Sequence, residues 1–360
     1  MSGHHLRQAP LGLRGVLCSR PFLEERIRAR VLALPQVQFR HAAASGLTAS
    51  ADNRRVTGVR ILPDGGQESA LLADLVVDAT GRGSRTPTAL AELGYDRPVE
   101  DRVEIGLMYA TRTFRLQPGA LDGDVAIVHG ATPDHPRSGF VAAIEGGRHL
   151  AALAGVLGDV PATDAAEFTA FARSLASPDI ADALVGAVPL DDGVTIRFPA
   201  SVRRRYERVP ALPDGLLVIG DGVCSFNPVY GQGMTVAALE ALLLRDMLAH
   251  GPSPDPRRWY RAVARVVDGP WQVAVGADLA FPQVPGRRTA QVRLANAYLP
   301  RLHAAAADDA ALAAAFARVV GLIDQPERLL RPDRLARVAL GVIRRRTRAR
   351  RLVPARDRAR

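Results

Sequence analysis

Residues 215–235 read GLLVIGDGVCSFNPVYGQGMT. Leu216–Ile219 is a short apolar run between turn formers, the pattern of a buried strand. It runs into Gly220-Asp221, and the chain then spends Gly222, Pro228, Gly231 and Gly233 before helical spacing sets in. Glycines in that number are costly unless backbone must come close to something. Asp221 stands at the carboxyl end of the strand, where ligands bind in open α/β sheets. A carboxylate there accepts hydrogen bonds from the hydroxyls of a ribose or ribityl chain. The helix starting near Gly233 points free N–H groups and a positive dipole end back at the same place, which suits a phosphate or an anionic ring. A plain βα connection would need one glycine, and so long a loop is uncommon in a compact unit without a function.

Outward from this stretch the chain alternates in type. Pro21–Leu34 carries Phe22, Leu23, Ile27, Val31 and Leu34 at helical spacing and predicts a helix with one buried face. QVQF (36–39) reads as a strand. RVTGVRI and QESALLADLVVDAT flank Pro63-Asp64-Gly65-Gly66, a hairpin signal whose second arm continues into LVVD, an all-apolar run of the kind buried in parallel sheets. ATGRGS follows, and then the helical SRTPTALAELG. Between 101 and 200, VEIGLMYATRTF, GDVAIVHG, GFVAAIEG and HLAALAGVLG predict strands, 163–175 a helix and VTIRF a further strand. From 237 to 250 and beyond Pro254 the chain is mostly helical. The expected division is 1–100 with 201–252 as one domain, 101–200 as a β-rich substrate domain, 253–343 as a helical region and 344–360 as a tail.

Composition narrows the class. With 48% apolar and 23% charged residues the chain is of globular type. No apolar run approaches the ~18 residues of a membrane span. The start lacks the apolar segment of a signal peptide, so the cytoplasm is expected. Cys18 and Cys224 are too few for a disulfide framework or a cysteine-based zinc site. All 47 basic residues are arginine, a mark of coding bias. Residues 344–360 hold nine of them against Asp357, so most of the formal +10 sits in the tail and no nucleic-acid partner is expected. The bland reading of that tail is a solvated end.

GDGVCSFNPVYGQGM resembles the Gly-Asp motif of class A FAD-dependent monooxygenases of the para-hydroxybenzoate hydroxylase type, nearest the squalene-epoxidase-like and polyether-epoxidase branch. The resemblance implies that Asp221 binds the ribityl side of FAD, that Pro228, Gly231, Gly233 and Met234 lie against the isoalloxazine, and that the helix end stabilises the reduced anionic ring. DLVVDATGRGSRTP is similar to the family's Asp-Gly motif, which implies that Asp78, Gly81 and Arg82 face FAD and, where used, NAD(P)H. CSRPFLEERIRARV is similar to a third element and puts Arg20 at the flavin nucleotide; a surface arginine at a helix start reads equally well. The implied fold is a Rossmann-like, glutathione-reductase-type α/β domain with an inserted β-rich substrate domain and a helical C-terminus.

The family opens with a strand, G-x-G-x-x-G and a helix that holds the pyrophosphate, and no such unit occurs here. Gly3, Gly12 and Gly15 follow no apolar strand. A misassigned gene start is the expected cause, ahead of a decayed copy and of a unit supplied by another chain. Without it, apolar sheet edges are expected to be exposed.

The resemblance implies transfer of one oxygen atom from O2, through a flavin C4a-(hydro)peroxide, to a small apolar organic substrate, as epoxidation or hydroxylation. Electrons would come from NAD(P)H or a separate flavin reductase. No catalytic acid or base stands out, and Tyr230 is left unassigned. Trp259 and Trp271 lack the W-x-W-x-I-P context of flavin halogenases, which favours oxygenation. The alternatives are a reductase or dehydrogenase on the same fold, a truncated non-catalytic paralogue, and an arginine-tailed binding module.

Overall fold

In the computed structural model, which describes residues 1–12 and 15–352, the elements run in chain order as follows. Helix α1 (Arg20–Leu32) precedes strands β1 (Ala42–Ala49), β2 (Val56–Pro63), β3 (Ser69–Leu72) and β4 (Val76–Asp78). Helix α2 (Thr86–Glu92) leads to β5 (Glu100–Val103), β6 (Leu107–Arg115), β7 (Ala126–His129), β8 (Arg137–Ile144) and β9 (Arg148–Gly155). Next come α3 (Ala165–Arg173), α4 (Asp179–Ala183), β10 (Val188–Pro189), β11 (Val194–Phe198), β12 (Ser201–Arg204), β13 (Leu216–Val218) and β14 (Cys224–Ser225). Five helices complete the described residues: α5 (Gly233–Leu248), α6 (Pro256–Asp278), α7 (Ala290–Ala306), α8 (Ala310–Val320) and α9 (Pro332–Leu352).

These elements form two compact units. The first comprises residues 20–104 and 200–275. Its centre is a parallel pair, β4 and β13, in the register Leu216↔Val76, Leu217↔Val77, Val218↔Asp78. The hairpin read around 63–66 is present as β2–β3, with β1 added on the far side of β2. β5, β12 and β14 form a third small sheet. Leu216, Leu217 and Val218 are buried, and the outer edge of β13 is closed by side chains of α6. There the Val218 N–H donates to Tyr260 Oη (3.1 Å), and Trp259 Nε1 donates to the Val218 carbonyl (3.2 Å). Tyr260 stacks on Tyr206 with ring centroids 4.7 Å apart.

The second unit takes residues 1–19, 105–199 and the chain from Gly276 onward. Its sheet has the order β10-β6-β9-β8-β7, with β11 also paired to β6. One face carries Ala110, Phe114, Val141, Ala151 and Leu153, buried against Phe168, Phe171 and Ile180 of α3 and α4. Asp164 starts α3 by accepting from the Ala166 and Glu167 N–H groups, an N-cap that explains why the helix begins there. α7, α8 and α9 pack around Leu302, Leu312, Val319 and Val338. The expected helical region 253–343 does not stand apart in this division, since 256–275 belong to one unit and 276 onward to the other.

Four local expectations change. QVQF is not a strand: Phe39 stacks under Arg28 of α1, 4.3 Å from the guanidinium to the ring centroid, and the strand comes later, as β1. VEIGLMYATRTF is two strands in two units, broken at Gly106 with φ +58°. LVVD is only half buried, with Val77 37% exposed. α1 forms where its spacing predicts, yet none of its residues is buried, and Leu23, Ile27 and Val31 are exposed. Helical periodicity folds the segment, but burial needs a second layer on that face. Of the Arg-rich tail, α9 takes in residues up to Leu352, and 353–360 lie outside the described residues.

Candidate functional site

Because β4 and β13 are parallel and in register, the two glycine turns leave the sheet side by side. The Ile219 N–H donates to the Asp78 carbonyl (3.0 Å), locking the strand ends together. A methyl group on Gly81 would sit 3.8 Å from the Asp221 β-carbon, so the turns touch. Arg204 ties them further. Its Nη1 donates to the Gly222 carbonyl (3.0 Å), its Nη2 to the Arg82 carbonyl (3.2 Å) and its Nε to Glu100 (2.9 Å).

The two aspartates do different work. Asp78 turns its carboxylate into its own loop, accepting from the Thr80 N–H (2.9 Å) and from the hydroxyls of Thr80 (2.5 Å), Ser84 (2.6 Å) and Thr86 (2.5 Å). Burial pushes this carboxyl up, but the bonds from Ser84, Thr80 and Thr86 outweigh it and hold it below the usual range. Asp221 points outward. Partial desolvation raises it above its ordinary value, against the pull of the Arg82 and Arg20 guanidiniums.

Gly220 takes φ +64° so that the chain can turn and present Asp221. Its N–H donates to Glu240 Oε2 (2.5 Å) on α5. Further on, the Asn227 side chain accepts from the Val229 N–H (3.1 Å) and starts a short turn at Pro228. Gly231 ends that turn in the left-handed region at φ +66°, with open space where a β-carbon would stand. α5 then opens at Gly233 with no side chain capping it, its first N–H groups directed toward the turn. A β-carbon on Gly233 would face Asp221 Oδ1 at 3.8 Å. Met234 is 57% exposed beside it. Arg20, the first residue of α1, is exposed and pairs with Glu24 at 3.8 Å. All nine residues singled out in the sequence therefore lie in the first unit; Asp78, Gly81, Arg82, Asp221 and Gly233 are in the touching turns, and Arg20 is within electrostatic reach of Asp221.

Three residues had no sequence signal. Arg204 is one arginine among 47. Gln232, between the two glycines, is 3% exposed and leaves its Oε1 without a hydrogen-bond partner among the described residues at the α5 end. Glu240 reads as an ordinary helix residue but is fully buried, with Oε1 likewise unpaired. Cys224 is buried, which raises its thiol well above the ordinary value and makes it an unreactive packing residue.

Against known proteins, the sequence is similar to protein Rv3254 of Mycobacterium tuberculosis, 34% identical over 333 residues, which span 90% of this chain and 69% of that protein. The chain belongs to the family of Rv3254. No family model matches it. Among solved structures, this Rv3254-family chain shares its fold with the flavin-dependent brominase Bmp2 (TM-score 0.61, 15% identity, 93% of this chain and 76% of that one). A flavoprotein/dehydrogenase from Cytophaga hutchinsonii superposes with TM-score 0.58 at 13% identity, over 91% of this chain and 73% of that one. Klebsiella pneumoniae HpxO, solved with FAD and uric acid, gives 0.55 at 17%, over 85% and 70%.

The buried glutamate makes a pH prediction for this Rv3254-family chain. Desolvation pushes Glu240 up to about 7; the Gly220 N–H opposes this and Asp221 adds to it. A carboxyl whose folded pKa is raised binds its proton more tightly when folded, so stability is full below the unfolded value near 4.5 and falls as pH rises through 7. The loss is about 3 kcal/mol. Glu240→Gln keeps an acceptor for Gly220 and removes the titration. Urea midpoints measured from pH 4.5 to 7.5 are expected to fall in the parent and to stay flatter in the variant. Parallel curves would remove Glu240 from this role.

Proposed function

We propose that the chain binds FAD and is a flavin-dependent monooxygenase that inserts one oxygen atom into a small apolar organic substrate. The observation that carries the reading is the in-register parallel pairing of β4 and β13, which sets two glycine turns, an outward carboxylate and an uncapped helix end at one place.

The residues fit the ring and ribityl portion of FAD. Asp221 is directed outward to accept hydroxyl hydrogen bonds. Gly231 and Gly233 leave a surface that side chains would fill, and Pro228 and Met234 flank it. The α5 end, with the unpaired Gln232 oxygen, supplies the polar groups for the ring's heteroatom edge. Gly81, Arg82 and Arg20 lie on the cationic side of Asp221, and Asp78 holds the Gly81–Arg82 turn in shape from within. FAD held by these residues would supply, when reduced by two electrons, the means to activate O2, one atom going to substrate and the other to water; the chain's own part is to orient the ring and exclude water.

The second unit's sheet has a largely apolar second face. On the sheet face away from α3 and α4, Tyr109, Thr111 and Thr113 align with Ala154, Ala152 and Leu150 of β9, and Phe140 and Ala142 of β8 extend the same rows. Small and aromatic side chains with few charges suit a hydrocarbon substrate. An epoxidised alkene or a hydroxylated ring is the product class, with NAD(P)H or a separate flavin reductase as electron source. The halogenase motif W-x-W-x-I-P is absent from the sequence, which supports oxygen transfer over halogenation.

The test begins with FAD titrated into the purified chain, following quenching of flavin fluorescence. Isotope-labelled O2, NADH or NADPH, and a flavin reductase are then supplied with a panel of alkenes and aromatic compounds. One labelled oxygen atom in the product is expected. Substrate oxidised without label would make the chain a dehydrogenase, and a chain that binds no flavin would end the proposal.

A further inference from the structure

α9 has two apolar faces, one buried against its neighbours and one exposed. Inward, Val338 is buried against α7 and α8, and a side chain on Gly341 would press within 2.7 Å of the Ala305 β-carbon. Arg337 and Arg345 fasten the same helix to Asp309 and Asp308, each at 2.9 Å, at the turn between α7 and α8. Outward, Leu335, Ala336, Ala339, Leu340 and Ile343 follow the i, i+1, i+4, i+5, i+8 spacing of a helical stripe, and all are exposed. Leu335 is 41%, Leu340 53% and Ile343 59% exposed. Directly after this stripe the sequence becomes RRRTRARR, and residues 344–360 carry a net charge of +8.

A helix that shows leucine and isoleucine to solvent next to a dense block of arginine has the make-up of an interfacial helix. We propose that the outward face of α9 docks on the surface of an anionic lipid bilayer. Leu335, Leu340 and Ile343 would enter the headgroup–acyl boundary, and Arg344, at the start of the stretch with net charge +8, would meet lipid phosphates. Each half of the surface needs this partner. A nucleic acid would neutralise the arginines but leave the apolar stripe in water. A second copy would cover the stripe but bring two blocks of +8 together, a repulsive arrangement. The docking is peripheral: among the described residues no helix is long and apolar enough to cross a membrane.

The experiment uses the full chain and co-sedimentation with vesicles of phosphatidylcholine mixed with phosphatidylglycerol, against vesicles of phosphatidylcholine alone, at low and high salt. Binding is expected to the anionic vesicles, to be weak on the neutral ones, and to fall with salt. The double variant Leu340→Glu/Ile343→Glu is expected to lose ~10-fold or more of the binding, because two charges would have to enter the apolar boundary. Its thermal melt should match the parent, both positions being exposed. Arg344→Gln, which leaves the stripe intact, is expected to weaken binding ~5-fold. Equal binding to both vesicle types, or anionic binding undiminished in the double variant, would overturn the proposal. So would tighter binding to duplex DNA that the double variant leaves unchanged, or self-association that it abolishes without any effect on vesicles.

Discussion

Asp221→Ala is expected to bind FAD about 10- to 100-fold more weakly than the parent chain, the loss of one or two hydrogen bonds to a charged acceptor. Among the described residues no hydrogen bond holds the Asp221 carboxylate, so the fold does not depend on it. Its pKa is raised, meaning the folded chain bears a cost for keeping it ionised there. The variant should therefore melt no lower than the parent. Asp78→Ala is the contrasting control. Removing the acceptor of four loop hydrogen bonds frees the Gly81–Arg82 turn, and a stability loss of about 2–3 kcal/mol is expected. Isothermal titration with FAD beside a melting curve separates the two. Weak binding in the Asp221 variant together with a lowered melt would assign Asp221 to the scaffold and sink its role as ligand.

Trp259→Ala is expected to cost about 5 kcal/mol, the largest stability effect of any change suggested by the structure. The side chain is fully buried, so truncation opens a cavity the size of an indole. It also strips the Val218 carbonyl of its donor at the edge of the central strand pair. Trp259→Phe keeps most of the volume and loses the N–H alone, with an expected cost of about 1–3 kcal/mol. Urea unfolding followed by circular dichroism reads the first unit's transition for both variants. Equal losses for alanine and phenylalanine would show that packing contributes little and the hydrogen bond nearly everything, contrary to the burial described here.

Much of this was legible beforehand, and the reasons are physical. Local signals survive folding: Gly-Asp after an apolar run and Pro63–Gly66 between β-formers both produced the elements they predict. The two glycine turns were readable for the same reason, since glycine where backbone must turn or approach is a property of the chain itself. What was hidden depends on the second partner. Nothing in LLLRDML or ALEAL says that Glu240 will accept from an N–H twenty residues earlier. Arg204 is chosen from 47 arginines only by where β12 places it. The exposure of α1 was equally hidden, because periodicity states which face is apolar and not whether another layer covers it. The reading of LVVD as fully buried failed on that ground, for Val77 has β13 beside it in the sheet but lies partly open.

The closure of β13 by Trp259 and Tyr260 has a consequence for association. Indole and phenol have taken the hydrogen bonds that an arriving strand would need at Val218, so the central pair can be extended along one side alone. That side is β4, which among the described strands pairs only with β13 and whose Val77 is partly exposed. Another chain's strand that adds to this pair would add there. A lysine at Val77 is the substitution with which to keep concentrated solutions of this protein clear.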